Sequence, residues 1–104
     1  MSRLADILSR LSETIEHRKG GDPSTSWTAK LLADPKLAAK KLGEEALETA
    51  LADSADETAK EAADTLYHLL VLLAARGVSL DSVAAVLESR EGVSCIAEKA
   101  GRKN

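Results

Sequence analysis

Leu4, Ile7, Leu8, Leu11 and Ile15 recur at three- and four-residue intervals with charges between them. That spacing predicts an amphipathic helix from about Ser2 to Arg18. Gly20-Gly21-Asp22-Pro23-Ser24 breaks it and makes a flexible connection. A short helix is expected from Ser26 to Leu32, with Ser24 or Thr25 as its cap. Asp34-Pro35 is a restart signal, because Asp34 can cap and Pro35 suits the first helical position. The helix that follows should reach about Ala52. Asp53-Ser54-Ala55-Asp56 is the next predicted turn, and the helix after it should run to Arg76 and stop at Gly77. Ser79 caps a last helix to about Arg90, ended by Glu91-Gly92.

The pattern therefore predicts an all-α domain over residues 1–92, four to five helices in an antiparallel bundle. A polar, loosely held tail is expected from Val93 to Asn104. Leu66 to Ala75 is apolar nearly all round, and a helix apolar on every side must be covered on every side. A chain of 104 residues has little to cover it with, so a homodimer or higher oligomer packed along this helix is expected, a homodimer first.

Composition supports helices: 44% of residues are apolar, only 2% are aromatic, and Phe is absent. A net charge of −3 argues against nucleic acid or an anionic membrane as a partner. The longest uncharged run, Thr65 to Ala75, is too short to span a bilayer. No secretory leader pattern opens the chain, and the single cysteine, Cys95, cannot form an internal disulfide. A cytoplasmic protein is expected. No Cys/His spacing makes a zinc site, and no strand-linked glycine-rich phosphate loop is present.

The chemistry lies in two acidic clusters. Lys40-Lys41-Leu42-Gly43-Glu44-Glu45-Ala46-Leu47-Glu48 comes first, and Glu61-Ala62-Ala63-Asp64 follows on the next helix. Glu45 and Glu48 are three apart, as are Glu61 and Asp64, so each pair shares a helix face and repels itself. A short turn makes the two helices antiparallel neighbours. Four such carboxylates brought together need a cation, and all-oxygen ligands favour Mg²⁺, with Mn²⁺ as the substitute. Taken singly, each charge also fits a solvated face, with Lys40–Glu44, Lys41–Glu45 and Lys60–Asp64 pairs at four-residue spacing. A di-iron site wants His three residues after Glu, where this chain has Glu48 and Asp64. His68, one turn after Asp64, is placed to hydrogen-bond a ligand carboxylate, but reads first as a partly buried residue with a backbone partner. Gly43 costs helix stability just before the cluster, which points to close approach by a backbone or a ligand, or to packing alone.

The Glu-Glu-x-x-Glu pattern of Glu44, Glu45 and Glu48, followed by the Glu-x-x-Asp of Glu61 and Asp64, resembles the all-α, MazG-like nucleotide pyrophosphohydrolases. Ser26-Trp27-Thr28-Ala29-Lys30-Leu31-Leu32, Lys40-Lys41-Leu42-Gly43-Glu44-Glu45, Asp64-Thr65-Leu66-Tyr67-His68-Leu69-Leu70-Val71-Leu72-Leu73 and Arg76-Gly77-Val78-Ser79-Leu80-Asp81 narrow the resemblance to the phosphoribosyl-ATP pyrophosphohydrolase family of histidine biosynthesis. It covers about residues 4 to 92, with Trp27 where the family more often has Tyr. The cyclohydrolase domain often fused upstream of such chains, and the cysteines it would need, are not expected here.

The resemblance implies hydrolysis of phosphoribosyl-ATP to phosphoribosyl-AMP and pyrophosphate with Mg²⁺. It implies Glu45, Glu48, Glu61 and Asp64 as metal ligands, and Glu44 as the residue that orients or deprotonates the water. Lys40 and Lys41 would hold phosphates as point charges, or else pair with the glutamates. Trp27 would stack on adenine or ribose, or pack in the core. Ser26, Thr28 and Lys30 would contact phosphate, or only cap and solvate their helix. Two other readings stand beside this one: a house-cleaning hydrolase of a noncanonical nucleoside triphosphate, and a non-enzymatic helical dimerisation module with a solubilising acidic face.

Overall fold

In a computed structural model the chain forms five helices: α1 (Arg3–His17), α2 (Trp27–Ala33), α3 (Pro35–Leu51), α4 (Ala55–Ala75) and α5 (Leu80–Ser89). The structure describes residues 2–92, and there is no strand among them. The tail expected over residues 93–104, Cys95 included, lies outside the described residues.

Each helix starts where a short polar side chain can satisfy a free backbone N–H. Ser2 accepts from Ala5 N at 3.1 Å, and Asp34 accepts from Leu37 N at 3.2 Å with Pro35 opening α3. Ser54 accepts from Glu57 N, and Ser79 from Ser82 N, both at 3.1 Å. Two boundaries differ from the sequence reading. The cap of α2 is Ser26, whose Oγ accepts from Ala29 N at 3.1 Å, not Ser24 or Thr25. Ser24 is engaged instead by Asp22, which accepts from its N–H at 2.9 Å and its hydroxyl at 2.7 Å. Ala55 and Asp56 belong to the first turn of α4 rather than to the preceding turn, because Ser54 already caps the helix.

α4 ends as glycine permits. Gly77 takes φ +70°, which lets Gly77 N donate to Ala74 O at 3.1 Å and Val78 N to Leu73 O at 2.9 Å. This doubly bonded left-handed ending satisfies two carbonyls that the helix leaves over. α5 then leaves at a bend of 108° and buries none of its side chains.

The core is small and sits at the C-terminal half of α4. Val71, Leu70 and Ala74 from α4 meet Ile15 of α1, Leu31 of α2 and Ala38 of α3. Leu8, Leu11, Leu32, Leu37, Leu72 and Leu73 pack around that cluster. Of the apolar stretch from Leu66 to Ala75, one chain thus buries Leu70, Val71 and Ala74 by itself, while Leu66, Leu69, Leu72 and Leu73 stay half-buried. The more exposed apolar side chains lie elsewhere, among them Leu47 at 60% and Leu51 at 68% on α3, and Val86 and Leu87 on α5. Among the described residues no single helix is long and apolar enough to cross a membrane.

Candidate metal and substrate site

The short link between α3 and Ser54, the cap of α4, folds α4 back along α3, so the two acidic faces meet. The register is held by a hydroxyl bridge. Thr49 donates to Glu45 O at 2.9 Å, one turn back on α3, and accepts from the Thr65 hydroxyl of α4 at 2.8 Å. Thr49 is four residues past Glu45 and Thr65 is one past Asp64, so the bridge ties together the turns that carry the acidic site.

One carboxylate oxygen from each of Glu45, Glu61 and Asp64 lies within 4.8 Å of the others. Glu48 lies within hydrogen-bonding reach of Glu61. That contact, more than anything else, raises the Glu61 carboxyl from its ordinary 4.5 to about 7; partial burial and the charges of Glu48, Glu45 and Asp64 push the same way. Glu61 Oε2 is shielded from water and has no hydrogen-bond partner among the described residues. A proton or a cation must answer such a group, and near neutral pH the proton is already half lost. Glu45 and Glu61 are half-buried and Asp64 is exposed, so the cluster opens to solvent. An all-oxygen donor set of this kind fits Mg²⁺ or Mn²⁺.

Glu44 stands apart from this group. It is exposed and forms an ion pair with Lys41, Nζ to Oε2 at 3.4 Å. The pairing is at three-residue spacing, and the Lys40–Glu44, Lys41–Glu45 and Lys60–Asp64 pairs expected at four are not formed among the described residues. Glu45 turns toward α4 instead, where Glu61 and Asp64 are. Lys40 is exposed. Gly43 has open space where a Cβ would stand, so no other described residue outside its own helix approaches it closely. His68 has the backbone partner expected of it: Nδ1–H donates to Asp64 O at 2.8 Å. Its ring meets Tyr67 edge-on at 4.9 Å, and it is not among the clustered ligands.

Three of the residues singled out for substrate line a second feature, a cavity of about 300 Å³. Ser26, Trp27 and Thr28 form one wall; Leu11, Thr14, Ile15 and Arg18 of the first helix and its cap form another. Tyr67 closes it, one turn beyond Asp64 on α4, with its hydroxyl hydrogen-bonded to that of Thr28. Lys30 does not line the cavity; its Nζ sits 5.7 Å from the centre of the Trp27 ring. Thr49, Thr65, Tyr67 and Arg18 were not foreseen as site residues. Thr28 and Tyr67 are 39 positions apart, and no local pattern joins them.

The family model described as phosphoribosyl-ATP pyrophosphohydrolase matches residues 8–91. A phosphoribosyl-ATP pyrophosphatase of Caulobacter vibrioides is 67% identical over 103 residues, covering 96% of each chain. One from Caulobacter sp. strain K31 is 63% identical over 98% of each. One from Cereibacter sphaeroides strain KD131 is 60% identical over 92% of this chain and 97% of its own.

Proposed function

The chain belongs to the phosphoribosyl-ATP pyrophosphohydrolase family, and from that premise we propose that it hydrolyses phosphoribosyl-ATP to phosphoribosyl-AMP and pyrophosphate, the second step of histidine biosynthesis. The observation that carries the proposal is the meeting of Glu45, Glu61 and Asp64 across the α3–α4 hairpin, with an orphaned oxygen on Glu61. In this reading Glu45, Glu48, Glu61 and Asp64 hold Mg²⁺. The ion, when bound, neutralises phosphate oxygens and positions the attacking water.

The chain's own groups then have separate tasks. The carboxylates of α3 and α4 concentrate negative charge that only a cation offsets, so they select a metal-bound polyphosphate over a bare one. Glu44 orients or deprotonates the water, and its pairing with Lys41 holds both side chains at the same end of α3. Lys40 and Lys41 supply positive charge for the leaving pyrophosphate. Trp27 stacks on the nucleoside, with Ser26, Thr28 and Lys30 contributing polar contacts beside it.

The assembly belongs to the same reading: a cytoplasmic homodimer. Exposed Leu47, Leu51, Val86 and Leu87 support it, since among the described residues only the start of α5, at Leu80, packs against the core and its later apolar side chains stay exposed. Family membership favours the histidine-pathway substrate over a noncanonical triphosphate, and favours an enzyme over a dimerisation module. The decisive assay is Mg²⁺-dependent pyrophosphate release from phosphoribosyl-ATP beside a nucleoside-triphosphate panel. Growth of a histidine-requiring strain lacking this activity is the test in cells. Turnover of the panel with none on phosphoribosyl-ATP would sink the proposal.

A further inference from the structure

Phosphoribosyl-ATP differs from ATP by a ribose phosphate carried on the base. The acidic site reads a triphosphate and its metal, which every nucleoside triphosphate presents, so it cannot tell these two substrates apart. A second site that reads the added phosphate would do that.

We propose that the cavity between the end of α1 and the start of α2 is that site, with Arg18 as the residue that reads the phosphate of the phosphoribosyl group. The proposal rests on the function proposed above and adds a subsite to it. Arg18 lines the cavity, and its guanidinium has no ion-pair partner among the described residues. The next residue, Lys19, is held by Glu16 at 3.0 Å. The Arg18 backbone alone serves the helix end: its N–H donates to Ile15 O at 3.0 Å, and its carbonyl accepts from Gly21 N at 3.1 Å. A side chain on so fixed a base, with five N–H donors and no carboxylate to spend them on, suits a phosphate dianion.

The rest of the lining has hydrogens to give. Ser26 Oγ accepts from Ala29 N, so its own hydroxyl hydrogen remains free. Thr28 and Tyr67 share one hydrogen bond between two hydroxyls, which leaves one hydrogen over. Among the described residues no carboxylate lines this cavity, in contrast to the acidic cluster. A volume of about 300 Å³ is at the small end for ligand pockets, so it takes a part of the substrate and not the whole. Tyr67, one turn from Asp64, joins it to the metal end.

The test compares wild type with Arg18→Gln and Arg18→Lys. KM for phosphoribosyl-ATP and the inhibition constant of ATP as competitor are measured for each, with a thermal melt as the check on folding. Loss of a charge-assisted phosphate contact should raise the ratio of KM to the ATP constant about tenfold or more in Arg18→Gln. Arg18→Lys should recover part of it. A ratio within twofold of wild type overturns the proposal, whether both constants hold or both rise together. Wild type that does not turn over phosphoribosyl-ATP at all defeats the proposed function itself, and this subsite with it.

Discussion

The two halves of α4 are one continuous helix with opposite uses. From Leu66 onward it carries the core: Leu70, Val71 and Ala74 are buried against α1, α2 and α3. Before Leu66 it carries Glu61 and Asp64, which face Glu45 and Glu48 of α3 with no ion-paired counter-charge among the described residues. The apolar half stabilises a fold that the acidic half strains. A helix needs only one end well packed to present the other in a defined place, because its own backbone bonds carry the rigidity. Stability and chemistry should therefore separate when each half is changed alone.

The largest effect is expected at the acidic half. Glu45→Gln, Glu48→Gln, Glu61→Gln and Asp64→Asn should each lower turnover roughly a hundredfold or more, with Mg²⁺ affinity falling alongside. Circular dichroism should stay helical, and metal-free melting should hold or rise slightly as repulsion is relieved. Near wild-type rates at limiting Mg²⁺ would return the acidic face to a solvated surface. The apolar half should give the mirror image. Leu70→Ala or Leu31→Ala should cost about 2–5 kcal/mol in urea unfolding, while the folded fraction keeps its kcat.

Glu44→Gln sharpens the contrast within the acidic end. Glu44 lies outside the clustered oxygens, so its loss should lower the rate while Mg²⁺ affinity survives. Parallel loss of both would make it a ligand. The pH dependence comes next. Glu61 holds its proton more tightly folded than unfolded, with a folded pKa of about 7 against an ordinary 4.5. Below pH 4.5 both states are protonated and the stabilisation is complete. Between 4.5 and 7 only the folded state keeps the proton, so metal-free stability should decline as pH rises, then level off. Glu61→Gln should flatten that window in melts run with a chelator. The smallest effect concerns the hydroxyl bridge. Thr65→Val removes one interhelical hydroxyl bond and should cost about 1 kcal/mol, with a modest rise in KM for Mg²⁺.

Much of this was legible in the chain. Five helices, the Asp34-Pro35 start, the Gly77 stop and the His68 backbone bond follow from local rules, because caps and periodicity act within a few residues. The acidic pairs were visible too, since carboxylates three apart share a face whatever the fold. The sequence misjudged what depends on choice among local partners: Ser26 rather than Ser24 as cap, and Glu44 rather than Glu45 as the partner of Lys41. Glu45 lies instead beside Glu61, 16 residues on, a proximity that no helical spacing could report.

What the sequence by itself determined is thus the set of helices and the two charged faces, both products of short-range geometry. Only the tertiary structure decided that Thr49 bridges to Thr65, that Tyr67 reaches Thr28, and that Arg18 shares a cavity with Trp27. Those contacts depend on how three helices stack on the buried half of α4. That stacking is set by the shapes of Ile15, Leu31, Ala38 and Val71 fitting together, and no one segment contains it.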